Sequence, residues 1–404
     1  MSDMRELVII GGGLVGMTLA LAAARQGIAS HVVDMADPNA LTADGFDGRA
    51  SAISTASWNL FTNIGLAERL AGKGCPIKSI AVTDSMKPGR IDFQPQPHEG
   101  SLGVMFSNQT LREVLYEAAR EEKLIAWHAP ARVVERQRGP HGVSATLADG
   151  AVLEGRLMVA AEGRRSPTRD EAGLKLARWD YQHRAIIVGL THEKSHDNVA
   201  WEIFYPAGPF ALLPMLDGPN GEHRSALVWT VSEKDAEGVL ALSDHAFVTE
   251  VAKRMDGIFG AIALNSKRSS YPLGFQHTAR MVADRLVLVG DAAHGIHPIA
   301  GQGLNLGLRD VGALVEVLMD GMRIGLDPGD AQLLKRYERW RSLDCFAVSF
   351  TCDSVTRLFG VPGRIPSAIR RLGMAGVQRI GPLKQFFMDE ARGMSGKLPE
   401  LLKA

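Results

Sequence analysis

Residues 5–10, RELVII, form a short apolar run that stops at three consecutive glycines, Gly11 to Gly13. A run of this length bounded by a turn reads as a buried strand. Ala, Leu and Met then recur at helical spacing from Leu14 to Gln26, and Gly27 closes the helix. A second short strand follows over 31–34, so the chain opens as βαβ. Residues 36–49 hold Pro38, Asn39, Gly45 and Gly48 and read as a loop leading into a helix over roughly 50–63. Short β-like runs alternate with Pro and Gly over 77–107. Residues 109–122 place Leu111, Val114, Leu115 and Ala118 on one helical face. Hairpins and then the strand RLMVAA are expected over 131–160.

From 181 to 231 the pattern turns mostly β, with Trp201, Phe204, Tyr205, Phe210 and Trp229 interleaved. Another buried strand is expected at 285–289, and beyond Gly303 the chain is mostly helical. The order of elements predicts an α/β fold. A discontinuous Rossmann-like nucleotide-binding domain (1–75, 108–176 and 281–359) receives a mainly β substrate domain (76–107 and 177–280), and a helical C-terminal segment covers 360–404.

The length of 404 residues agrees with two joined domains, because single cores stop growing well below that size. Lys plus Arg equals Asp plus Glu at 45 each, so no global field favours nucleic acid. Cys75, Cys345 and Cys352 form no CxxC, which argues against zinc and a disulfide framework and for reduced thiols in the cytoplasm. The N-terminus shows no signal peptide, and no run approaches the ~18–20 apolar residues of a membrane span. Contact with a membrane would be peripheral, on its inner face.

Gly11-Gly12-Gly13-Leu14-Val15-Gly16 contains G-x-G-x-x-G between a strand and a helix, with Asp34 closing the next strand. In that context the motif cradles a dinucleotide. Gly11 permits the turn, Gly13 lets backbone approach the pyrophosphate, and Gly16 lets helix and strand pack closely. The helix start supplies N–H groups through Leu14 and Val15, and Asp34 accepts from ribose hydroxyls. A second element separates FAD from NAD. Gly290-Asp291 directly follows a buried strand, which suits Asp291 to a flavin ribityl chain, and a Gly-rich turn from Pro298 through Gly301, Gly303, Leu304 and Asn305 opens a helix toward a reduced ring.

These residues resemble the flavoprotein aromatic hydroxylases of the para-hydroxybenzoate hydroxylase type, over nearly the whole length. Asp47-Gly-Arg49-Ala-Ser-Ala-Ile53-Ser, the stretch from Gly290 to Asn305, and the ending Gly396-Lys-Leu-Pro-Glu-Leu-Leu look most like the ubiquinone-biosynthesis hydroxylases, the 2-polyprenyl-6-methoxyphenol hydroxylase group. The resemblance implies that Arg49 and Arg112 contact the flavin nucleotide and that Pro298 borders the oxygen-reacting side of the ring. The family's middle motif carries Asp-Gly where this chain has Glu162-Gly163. Arg164 and Arg165 beside it either meet NADPH phosphates or solvate a turn.

No second G-x-G-x-x-G is present, which suits transient NAD(P)H on the surface. The implied reaction is reduction of FAD by NAD(P)H, oxygen addition at flavin C4a, and attack by an activated phenol, here the ring of a polyprenylated phenol. His294 and His297 lie near this turn. A histidine there either relays the phenol proton or satisfies loop backbone.

Two enzyme alternatives stand beside this reading. One is a flavin hydroxylase of a soluble aromatic compound; the other is a prenyl reductase or halogenase, although Trp-x-Trp-x-Ile is absent. A flavin-bearing scaffold subunit is the alternative from another class. From Gly360 onward there are eight Lys or Arg and three Asp or Glu. Ile369, Leu372 and Ile380, with Arg370, Arg371 and Arg379 beside them, describe a basic amphipathic stripe, followed by Phe386 to Met388 and then Leu398, Leu401 and Leu402. That stripe either docks on a membrane or a membrane-bound complex, or packs into the core.

Overall fold

The computed structural model describes residues 4–43, 46–86, 89–96, 99–296, 301–360, 373 and 376–404. The strand Arg5–Ile10 pairs in parallel with Ser30–Val33 on one side and Val152–Ala160 on the other. Ile125–His128 and Leu286–Leu288 continue the parallel array outward on the two sides. Leu7, Val8 and Ile9 are fully buried in the middle of it. A central parallel strand is covered on both faces, which is why it reads as an unbroken apolar run. Each such side chain contributes about 1.5–3 kcal/mol by its burial.

A nine-stranded sheet forms the second layer. Its path runs from His294–Gly295 through Ser269–Thr278, Leu176–His192, His223–Ser232, Gly208–Met215, Val199–Tyr205 and Ser79–Asp84 to Ile91–Phe93. Ile186, Val188, Phe210 and Trp229 pack with Phe247 and Val251 of the helix Asp244–Arg254. A separate apolar cluster joins Ala200, Leu213 and Met215 of this sheet to a small sheet of Ala50–Ser54, Gly103–Ser107 and Cys75–Ile77. The α/β class expected from the pattern is the class observed.

One local expectation fails. Residues 50–63 are not a single helix, because Ala50–Ser54 pairs antiparallel with Gly103–Ser107 before the helix Thr55–Asn63 begins. Ala leans toward helix by propensity, and pairing with the neighbouring strand overrides it. The switch comes at Ser54, whose hydroxyl accepts from the Ser57 N–H as an N-cap.

At the C-terminus, Met388 and Leu402 are buried, and Leu398 and Leu401 pack against the core. The apolar residues that follow the expected stripe are therefore largely core-facing. Ile380 and Phe386 remain exposed, while Ile369 to Leu372 lie outside the described residues. No helix among the described residues is long and apolar enough to cross a membrane.

Candidate active site

Two glycine turns from opposite ends of the chain meet at Val15. Its methyl groups lie 3.3 Å from where a Cβ on Gly290 would stand, and 2.8 Å from one on Gly307. Larger residues at Gly290 or Gly307 would push the helices Leu14–Arg25 and Gln302–Arg323 apart. Gly11 has φ +107°, and a Cβ there would fall 2.4 Å from the Ala161 carbonyl oxygen; at Gly16 it would fall 1.9 Å from that of Gly11. Gly13 is different, with nothing within 4 Å of its Cβ position. The helix Leu14–Arg25 starts there without a side-chain cap, so the first-turn N–H groups look into open space.

Asp34 borders this opening. Its carboxylate accepts from the Gly12 N–H at 2.6 Å and the Ala36 N–H at 2.8 Å. Arg112, near the start of the helix Asn108–Glu121, is half-buried and makes no hydrogen bond or ion pair among the described residues. A half-buried guanidinium left without a counter-charge suits an incoming anion.

The second turn is held by side chains. The Gly290 N–H donates to Asp310 at 2.8 Å, the Asp291 carbonyl accepts from Gln276 at 2.6 Å, and the Ala292 carbonyl accepts from Arg169 at 3.2 Å. Thr278 donates twice to the Ala293 carbonyl. The Asp291 carboxylate keeps 48% of its side chain accessible, with Arg164 as its ion-pair partner at 3.7 Å. Protein crowding on its other side raises its pKa, and Arg164 and His294 oppose that shift. Arg164 also donates to the carbonyls of Gly274 and Ile296, so it braces the turn from within, whereas Arg165 is exposed.

Arg49 is exposed, 3.6 Å from Asp47. It lies within electrostatic reach of Tyr271, whose hydroxyl burial pushes up in pKa while Arg164 and Arg49 pull it down. Nothing in the sequence around Tyr271 marks it as a site residue.

Gly301 begins the helix Gln302–Arg323 at φ +63°, again without a side-chain cap, and Gly303 has open space around it. Leu304 is partly buried against the core. Asn305 is buried and fully engaged: it accepts from the Ser54 N–H at 2.9 Å and donates to the carbonyls of Ala52 and Gly301. It fixes the turn through its side chain. Glu162 is likewise committed, accepting from the Ser166 hydroxyl at 2.5 Å and the Thr168 N–H at 3.2 Å, with Arg136 at 3.3 Å. Gly163 beside it has φ +77° and nothing within 4 Å. Pro298 and His297 lie outside the described residues.

The side chain of His294 is turned into a buried ion network, and among the described residues it makes no hydrogen bond to a loop carbonyl. Its Nε2 lies 2.6 Å from Asp310, whose other oxygen accepts from Arg341 at 2.6 Å, and all three side chains are at most 1% exposed. Burial opposes a charged imidazole, but Cys345 and Asp310 beside it more than offset this and hold its pKa well above the ordinary value. The sequence signal for this network is an Arg309-Asp310 pair inside an otherwise apolar helical stretch.

The residues present fit a flavin dinucleotide. Two uncapped helix starts, the open cradle at Gly13, an unpaired Arg112 and a half-exposed Asp291 provide the donors and acceptors that pyrophosphate and ribityl groups need.

The fold and these turns define a flavoprotein. The family model described as FAD binding domain matches residues 4–347, and the chain belongs to that family. Within it, the chain is 42% identical over 395 residues to "Ubiquinone hydroxylase UbiL" of Rhodospirillum rubrum, covering 98% of this chain and 91% of that one. It is 31% identical to "3-demethoxyubiquinol 3-hydroxylase" of Escherichia coli, covering 96% and 98%. Among solved structures, p-nitrophenol 4-monooxygenase PnpA of Pseudomonas putida superposes with a TM-score of 0.79 at 16% identity, covering 98% of this chain and all of that one. At that identity the likeness is one of fold.

Proposed function

We propose that this protein hydroxylates the ring of a polyprenylated phenol in ubiquinone biosynthesis, with FAD as cofactor and NAD(P)H and O2 as co-substrates. The observation that carries the reading is the packing of the Gly290 turn and of Gly307 against Val15 in the first turn of the uncapped helix Leu14–Arg25, with the half-exposed Asp291 beside them. The names of the relatives supply the substrate class.

In this reading the N–H groups following Gly11 and Gly13, at Leu14, Val15 and Gly16, hold the pyrophosphate together with Arg112. Asp34 accepts from the adenosine ribose, and Asp291 and the Gly290 turn take the ribityl chain. Gly301, Gly303 and Leu304 present helix N–H groups to the ring edge, Asn305 keeps that turn in place, and Arg49 and Pro298 border the ring. The bound flavin supplies hydride acceptance and oxygen activation. The protein orients the phenol and keeps water out, and the apolar cluster of Phe46, Ala50, Ala52, Leu213 and Met215 provides the dry wall. Glu162 and Gly163 flank the surface route for NAD(P)H. The division into a discontinuous nucleotide-binding domain and an inserted substrate domain belongs to this same reading, with the nine-stranded sheet offering the substrate its floor.

A prenylated phenol must be collected from lipid. Ile380 and Phe386, both more than half exposed, flank Lys384 near the C-terminus and make a peripheral membrane contact, or one within a membrane-bound complex, part of the proposal.

Deletion of the gene should cause a prenylated quinone precursor lacking one ring hydroxyl to accumulate, identified by mass spectrometry. The purified protein should oxidise NAD(P)H faster when that precursor is present. A protein that ignores anionic liposomes and hydroxylates a short-tailed soluble phenol equally well would favour the soluble-substrate alternative.

A further inference from the structure

Behind the Gly290 turn, away from its outward face, runs a chain of charges. Asp310 accepts from the Gly290 N–H, from His294 and from Arg341. Arg341 continues to Asp344, and Asp344 pairs with Arg309 at 2.8 Å. The inner three, His294, Asp310 and Arg341, are fully buried, while Asp344 keeps 21% of its side chain accessible. Glu390 acts on Arg309 at the outer end, and Asp291 with Arg164 lies on the turn side.

The ligand atoms of His294, Asp310 and Cys345 lie within 4.8 Å of one another, but no metal is needed there. Arg341 already supplies the cation, with one guanidinium nitrogen on Asp310 and another 3.3 Å from the Cys345 sulfur. Two cations, His294 and Arg341, share the buried Asp310 carboxylate, so removing the imidazole charge changes this group by one unit. Asp344 is shared by Arg341 and Arg309, and with 21% of its side chain accessible it is nearer to water, where charges are screened.

We propose that His294 is a fixed buried cation, held by Asp310 behind the turn that receives the flavin, and that it makes the bound flavin easier to reduce. This rests on the reading that the Gly290–Asp291 turn meets the flavin. Two-electron reduction adds negative charge to the ring system, and a positive charge fixed in low-dielectric surroundings favours that form. His294 is then a positioning and tuning residue; it does not touch substrate. The high pKa of its imidazole agrees with this role.

The decisive measurement is the midpoint potential of bound FAD in wild type and in His294→Gln. Glutamine keeps a donor for Asp310 and removes the charge. One unit charge within about 10 Å, at an effective dielectric of about 20, biases the two redox states roughly tenfold. The expected result is one FAD per chain and a roughly tenfold loss of preference for reduced flavin, which is about 30 mV for a two-electron couple. An unchanged potential with FAD retained overturns the proposal. If the glutamine protein does not hold FAD, Arg341→Gln decides, because Arg341 belongs to the same charge chain without bonding the turn. A lowered potential there supports the charge role; an unchanged one, or loss of FAD from both variants, means a purely architectural network. Asp291→Ala tests the underlying reading separately: full FAD affinity in that variant would remove the turn from the flavin site whatever the potentials show.

Discussion

At Gly11–Gly16 the turn is shaped by backbone against backbone. Its close neighbours are the Ala161 carbonyl, its own Gly11 carbonyl and the Asp34 side chain, all contributed by the parallel core strands or the loops that follow them. At Gly290–Ala293 four polar groups of the turn are instead held by side chains from elsewhere, Asp310, Gln276, Arg169 and Thr278. The first turn excludes side chains, so its requirement is written as glycine. The second recruits them, so its requirement is spread over about 140 residues of chain between Arg169 and Asp310. At Gly11 and Gly16 the first turn leaves no room for an added atom, whereas the second depends on donors and acceptors that arrive from elsewhere.

The largest effect should come from Asp310→Ala. It leaves His294 buried without its carboxylate and Arg341 with Asp344 alone, and breaking such a buried pair costs about 3–5 kcal/mol. Urea unfolding of the flavin-free protein measures it. The same network sets a pH dependence. His294 is held above its unfolded value of about 6.5, so its stabilisation is complete below that pH and is lost as pH rises through the higher folded value. Unfolding free energy of the wild type should therefore fall on the alkaline side, and His294→Gln should flatten that decline. A variant with the wild-type slope would remove the ion pair from the contrast between the turns.

Gly16→Val should follow, at about 1–3 kcal/mol for an overpacked contact, with loss of flavin. Gly13→Val at the open position should lose flavin absorbance and keep the apoprotein melting temperature. If both variants lost stability equally, the cradle at Gly13 would not be open.

Arg112→Ala should act on binding alone. With no partner among the described residues, apoprotein stability should stay within about 0.5 kcal/mol, while FAD affinity drops by about 1.5–3 kcal/mol for a lost charge-assisted contact. Isothermal titration of apoprotein with FAD reads this directly.

The smallest effect is expected at Glu162→Ala, about 1 kcal/mol for the lost cap on Ser166 and Thr168. Anaerobic stopped-flow reduction by NAD(P)H gives a second readout. A normal rate would limit Glu162 to holding the helix Pro167–Glu171, and a slowed one would extend its role to the reductant route.

Much of the first turn is legible in the amino-acid sequence. Gly11, Gly13, Gly16 and Asp34 stand within 24 residues of one another, on a strand, turn, helix and strand that each carry their own local signal. Legibility falls where a residue's partner is remote. The motifs lead one to expect Asn305 and Glu162 to face cofactor. The fold commits their polar atoms to Ser54, Ala52 and Gly301 in one case and to Ser166, Thr168 and Arg136 in the other. Residues 50–54 are a strand because Gly103–Ser107 lies beside them, which no local pattern records.

The sequence by itself determined the α/β order, the fingerprint glycines and the flavin class, because these depend on short-range periodicity and on the steric freedom of glycine at fixed spacing. Only the tertiary structure decided which charged side chains are free and which are spent. Arg112, Asp291, Glu162 and Asp310 are all single charged letters on helices or turns. What separates them is whether a counter-charge or a donor arrives from another part of the chain. Arg112 receives none among the described residues and Asp310 receives four donors, from Gly290, His294, Arg341 and Cys345. That difference is set by folding, since the energy of a charge depends on burial and on neighbours within a few ångströms, and neither is a property of the residue alone.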